Sequence, residues 1–184
     1  MLGMVYTELH EFVESVFSYD IADEVLEKAG LPGIWAATGL YEDGDLVRYV
    51  STLSEVTNTP VDDLVHAYGS HLLTRFYASH PTFFDSQTTR TFLKGIESKI
   101  HREVRQLWPA ANTPLVTVLS DSDTEVDVEY RSERGLATLA LGLLEQTTRH
   151  FDDGWTVRLT EVNAGSTVAR FLLTKQSVDP ATRG

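Results

Sequence analysis

The hydrophobic period of this chain first changes at Pro114. Upstream, apolar residues recur at helical spacing; downstream, they alternate as on half-buried strands. A helix buries a stripe and a strand buries one face. A chain that segregates the two patterns folds as α+β, with a helical N-terminal lobe packed on a C-terminal lobe of antiparallel sheet and helix.

The helical part opens with Val5, Leu9, Phe12, Val13, Val16 and Phe17 on one face. A second helix over about 21–29 starts near Asp20 and closes at Gly30, with Pro32 beyond. Gly39 to Gly44 is turn-rich, and helical spacing resumes through Val47, Val50, Leu53 and Val56. At Asn58-Thr59-Pro60 one helix stops and another starts, with Thr59 as cap and Pro60 in the first helical position. Leu64, Val65, Tyr68, Leu72, Leu73 and Phe76 carry that helix towards His80-Pro81. A fifth helix is predicted over about 88–107, with Phe92, Ile96, Ile100 and Val104 along one face and Trp108-Pro109 ending it.

After Pro114, residues 115–119 are β-rich, and Val126, Val128 and Tyr130 alternate with Glu125, Asp127 and Glu129. A helix follows through Leu136, Leu139, Ala140, Leu143, Leu144 and Phe151, then a closing hairpin of 156–162 and 167–173. The pattern predicts a single domain over 1–175, with lobes of about 1–110 and 111–175 sharing one ligand site. Residues 176–184 read as a loose tail.

Composition removes whole classes of function. Fifteen Lys and Arg against 27 Asp and Glu leave a net charge of −12, which disfavours nucleic acid and anionic membrane. No apolar run approaches the roughly 18–20 residues of a membrane span. Glu8, Glu11 and Glu14 come too early for a signal peptide, so a cytoplasmic location is expected. The chain has no cysteine, which excludes disulfides, thiolate catalysis, cysteine-ligated zinc and iron–sulfur clusters. A metal here must be held by His or carboxylates.

Two constellations carry chemistry. Tyr130, Ser132 and Arg134 are two residues apart, so on an extended segment they share a side. A phenol, a hydroxyl and a guanidinium fork together suit one or two carboxylates. On its own the pattern also fits an ordinary strand end with a solvated face. His101 lies about 60° from Val104 and about 20° from Trp108 on a helical wheel, at the border of the apolar face. By itself it reads as a structural or solvated histidine. The residue at i+4 is Arg105, so no second ligand follows it. A lone axial histidine suffices when a macrocycle supplies the other ligands, as in haem.

The run Lys99-Ile100-His101-Arg102-Glu103-Val104-Arg105-Gln106-Leu107-Trp108-Pro109, then Pro114, then Tyr130-x-Ser132-x-Arg134, resembles the H-NOX (haem nitric oxide/oxygen-binding) family. So do Met1-Leu2-Gly3, Glu27 to Gly33, Tyr68-Gly69 and His80-Pro81-Thr82-Phe83-Phe84. The resemblance spans about residues 1–175. It implies haem b (iron protoporphyrin IX) held between the lobes, with His101 as the proximal iron ligand and Tyr130, Ser132 and Arg134 on the propionates. Pro114 would press on the porphyrin and distort it, and Gly69 would sit in a helix close to the haem. Without the family, Pro114 is a strand-entry proline and Gly69 a helix glycine that costs about 1 kcal/mol.

The chain departs from some members at two places. Oxygen-binding relatives place a distal tyrosine five residues after the motif's arginine, and here that position is Leu139. Bound oxygen needs a hydrogen-bond donor, whereas nitric oxide binds ferrous iron without one. A distal wall of Val5, Leu72, Phe76, Leu139 and Leu143 therefore favours nitric oxide, then carbon monoxide, over oxygen; these residues also read as ordinary core. The orientation of His71 bears on this wall and stays open. The second departure is the absence of the Cys-rich zinc site found in some members.

The expected function is a haem-based sensor rather than an enzyme. Haem relaxation and lobe movement would pass its signal to a separate protein, by resemblance a histidine kinase or a cyclic-di-GMP enzyme. The alternative is a haem-free binding module for an apolar carboxylate. A peroxidase wants a distal acid–base residue, and position 139 is Leu.

Overall fold

The computed structural model describes residues 1–85 and 88–175, so the expected tail at 176–184 lies outside the described residues. Helices α1 (Gly3–Val16), α2 (Tyr19–Ala29), α3 (Asp43–Thr57) and α4 (Val61–Ser79) build the helical lobe. Their apolar stripes meet in one core, with Leu9 and Phe12 from α1, Val25 from α2, Tyr49 and Leu53 from α3 and Tyr68 from α4. Each such burial contributes about 1.5–3 kcal/mol. The buried phenols find partners: Tyr6 donates to the Glu42 carbonyl at 2.6 Å, and Tyr68 to that of Val5.

Two helix starts differ from the sequence reading. Ser18, not Asp20, caps α2, because its hydroxyl accepts from the Ile21 amide at 3.2 Å. At the α3–α4 junction Asn58 ends α3 at φ 51°, a conformation asparagine tolerates. The Ser54 hydroxyl then donates to the Thr59 carbonyl at 2.7 Å, so Thr59 belongs to the turn and Pro60 becomes the cap before Val61.

The predicted fifth helix is three segments. After a short 3₁₀ turn (Pro81–Phe84) come α5 (Thr89–Gly95), a π-helical segment (Ile96–His101) and α6 (Arg102–Leu107). The cause is visible in the apolar spacing. Phe92, Ile96, Ile100 and Val104 repeat every four residues, and an α-helix drifts by about 40° per such step. A π turn takes more residues per turn and reverses that drift.

Strands β1 (Leu115–Asp121), β2 (Glu125–Arg131), β3 (Trp155–Val162) and β4 (Val168–Lys175) form an antiparallel sheet in the order β1-β2-β4-β3. The alternation in β2 holds: Val126, Val128 and Tyr130 are buried, paired with Leu173, Phe171 and Ala169 of β4. Helix α7 (Ala137–Phe151) covers that face through Ala137, Ala140 and Leu144, while its Leu139 joins the helical core. Thus α7 is the seam between the lobes.

At that seam α4 crosses α7 at two glycines. A Cβ on Gly69 would lie 2.4 Å from the Leu139 carbonyl oxygen, and one on Gly142 would lie 2.1 Å from that of His66. Only glycine at both positions allows the approach. No helix among the described residues is long and apolar enough to cross a membrane.

Candidate functional site

A cavity of about 300 Å³ opens between the lobes. Its walls come from the start of α1 (Met4, Val5), from α4 (Leu72, Phe76), from the π segment (Ile100, His101), from α6 (Val104), from the loop carrying Trp108 and Pro114, from β2 and β4 (Val128, Tyr130, Phe171) and from α7 (Leu139, Leu143). All five residues predicted for the distal wall line it, as do His101, Pro114, Tyr130 and Arg134. Such a lining suits a large apolar ligand that carries few polar groups.

His101 ends the π segment with a side chain 15% exposed. Its Nδ1 lies 2.6 Å from Oε1 of Glu97, one turn upstream. Burial holds the imidazole below its usual pKa, although Glu97 pulls the other way, so the ring is neutral at pH 7. An ionised carboxylate only accepts hydrogen bonds, so Nδ1 carries the proton and the Nε2 lone pair is left for the cavity. Burial alone would raise the Glu97 carboxyl, but hydrogen bonds from His101 and the Val116 amide outweigh it and hold it low.

At the sheet side, burial pushes the Tyr130 phenol up, partly offset by the Ser132 hydroxyl and the Arg134 charge. Arg134 donates from one terminal nitrogen to the Asn112 carbonyl at 2.6 Å, and its side chain is 11% exposed. Its Nε is buried and has no hydrogen-bond partner among the described residues. A buried donor left unmade costs about 1–3 kcal/mol, so this edge of the cavity suits an anionic oxygen. Among the described residues no group of three or more His, Cys, Asp or Glu could hold a metal by side chains alone. A metal at His101 therefore needs ligands from elsewhere, and an apolar disc with carboxylates fits this donor set.

Two expected positions fall outside the lining. Ser132 accepts from the Arg134 amide at 3.4 Å and hydrogen-bonds the Tyr130 phenol, outside the cavity lining. Gly69 packs against the α7 backbone rather than on the cavity, because its missing side chain is what the helix crossing needs. His71 also turns away: its ring lies 5.4 Å from Phe12, with Nε2 3.7 Å from Glu8. Sequence reasoning missed Glu97 and Gly142. The i,i+4 spacing of Glu97 to His101 could have revealed the first; the second required knowledge of the partner helix.

A family model described as Haem-NO-binding matches residues 2–159. No curated protein matches the chain. Among solved structures, the chain is similar to an Fe(II) unliganded H-NOX protein from K. algicida. That pair shares 26% identity over 96% of this chain and 97% of the other, with a TM-score of 0.88. The IWP-051-bound H-NOX from Shewanella woodyi in the Fe(II)CO state shares 33% identity over 96% and 95%, with a TM-score of 0.82. An H-NOX protein from S. oneidensis in the Fe(II)NO state has the same fold, at 22% identity over 96% and 100% and a TM-score of 0.86.

Proposed function

Because the chain belongs to the H-NOX family of haem-binding gas-sensor domains, we propose that it is a nitric oxide sensor holding haem b, with His101 as the axial ligand. The observation that carries the reading is the juxtaposition, on one apolar cavity, of an imidazole with its Nε2 lone pair available and a buried guanidinium whose Nε has no partner among the described residues. The first suits iron; the second suits a propionate. With no cysteine the chain cannot form the thioether links of a c-type haem, which is consistent with a non-covalently held haem b.

When bound, the group would supply a ferrous iron able to take nitric oxide, and His101 would hold that iron from the cavity wall. Tyr130 and Arg134 would hold the carboxylates, with Ser132 bonded to the Tyr130 phenol and the Arg134 amide. Pro114, on the loop that enters β1, would press against the bound group. Val5, Leu72, Phe76, Leu139 and Leu143 keep the gas-binding wall apolar and offer no donor to stabilise oxygen, so nitric oxide is preferred, carbon monoxide next.

A shift of His101 would change the packing between the π segment with α6 and the sheet lobe, which Glu97 links through the Val116 amide. The close glycine crossing of α4 on α7 joins the lobes and is the joint about which a ligand would bias the helical lobe. Such a movement would regulate a separate signalling protein, a histidine kinase or a cyclic-di-GMP enzyme.

Haem titration of the purified protein tests the assignment. One equivalent should bind with a Soret band, and His101→Ala should displace that band. Binding of apolar carboxylates without any Soret band would instead favour a haem-free binding module.

A further inference from the structure

We infer that Glu97 is a positioning residue that sets the strength of the His101–iron bond and thereby the threshold of the switch. This rests on the haem reading above. Glu97 is tied on both sides. Its Oε1 receives the His101 Nδ1–H at 2.6 Å and the Val116 amide at 2.9 Å, and its Oε2 lies 3.4 Å from the Arg105 guanidinium. Val116 belongs to β1 and lies two residues beyond Pro114. One carboxylate thus pins the imidazole to the sheet lobe while leaving the opposite nitrogen for the cavity.

The chemistry follows from what a carboxylate does to an imidazole. A charge-assisted hydrogen bond at Nδ1 fixes the tautomer and the ring orientation and pushes electron density towards Nε2. A more basic Nε2 binds iron more strongly. Held by Glu97, His101 would therefore grip iron more strongly than an unassisted histidine. Helix geometry supports this role. The π segment runs from Ile96 to His101, so both partners of this contact lie inside the one stretch where the helix is wound differently.

Resonance Raman spectra of the ferrous, haem-loaded protein read the iron–histidine stretch directly. Glu97→Gln keeps the shape and an acceptor for Val116 but removes the charge, whereas Glu97→Ala removes the acceptor. The band should fall in frequency in the Gln variant and fall further in the Ala variant, with haem stoichiometry unchanged in Gln. An unchanged band in Glu97→Gln at full haem loading overturns the inference, even if the Ala variant proves unstable.

A second readout needs no haem. Nitrogen-15 spectra of the haem-free protein should show the His101 Nδ1–H tautomer, and Glu97→Ala should give a tautomer mixture. An Nε2–H tautomer in the unaltered protein also overturns the inference. Failure of the unaltered protein to bind haem would instead remove the haem reading, leaving the tautomer result to judge the contact alone.

Discussion

Gly142→Ala is the substitution whose cost the structure specifies best. The new Cβ would meet the His66 carbonyl oxygen at 2.1 Å, its carbon at 3.1 Å and the Gly69 Cα at 3.2 Å. All three are backbone atoms of α4, so no flexible side chain can swing away. Restoring an ordinary contact requires α4 to retreat by about 1 Å, and interiors resist such shifts. Overpacking of this kind costs about 1–3 kcal/mol, and a backbone-to-backbone clash belongs in the upper half of that range. Alanine recovers about 1 kcal/mol through helix propensity. The net loss is about 1–2 kcal/mol, a fall in melting temperature of about 2–8 °C for a chain of this size. Thermal unfolding followed by circular dichroism measures it. A variant as stable as the parent, or more stable, would show that propensity outweighs contact and would refute the close crossing.

Other perturbations test other parts of the site. Arg134→Ala removes charge-assisted donors worth about 1.5–3 kcal/mol, so haem affinity should drop by about ten- to a hundredfold, while Ser132→Ala should cost less. Equal affinity in Arg134→Ala and parent would dissociate the guanidinium from the ligand. Leu139→Tyr places a phenol on the cavity wall, and the ferrous variant should form an oxygen complex in air that the parent does not. Spectra without that complex would sink the selectivity argument. Burial holds His71 below its usual 6.5, so the folded state binds fewer protons than the unfolded one in mildly acidic solution. Its contribution to stability is therefore lost as pH drops through about 6.5. His71→Gln should flatten the fall in denaturant midpoint between about pH 7 and 5, and an unaltered slope would contradict the assignment.

The sheet lobe was legible because strand alternation is local. Val126, Val128 and Tyr130 read as inward-facing from the sequence, and each is buried. Helix boundaries were less so: Ser18 and Pro60 act as caps through contacts that depend on how the turns close. The π segment left a trace in the four-residue apolar spacing, but a spacing compatible with a helix does not announce which kind of helix.

For the site, the chemistry-bearing side chains were legible and their arrangement was not. His101, Tyr130 and Arg134 meet on one cavity, whereas Ser132 and Gly69 lie outside its lining. A glycine in a helix reads only as a local penalty until a second helix is found against it, as at Gly69 and Gly142. Glu97 escaped notice because Arg105 occupies the downstream turn of His101, while the carboxylate lies one turn upstream.

The central claim is that this cavity presents haem iron to nitric oxide through His101. Absorption spectra of the reduced, haem-loaded protein, taken without oxygen and before and after nitric oxide, test it most directly. The expected result is a Soret band that shifts on nitric oxide addition, together with an unliganded spectrum that changes in His101→Ala. A Soret band that ignores nitric oxide, or one indifferent to the loss of His101, would contradict it.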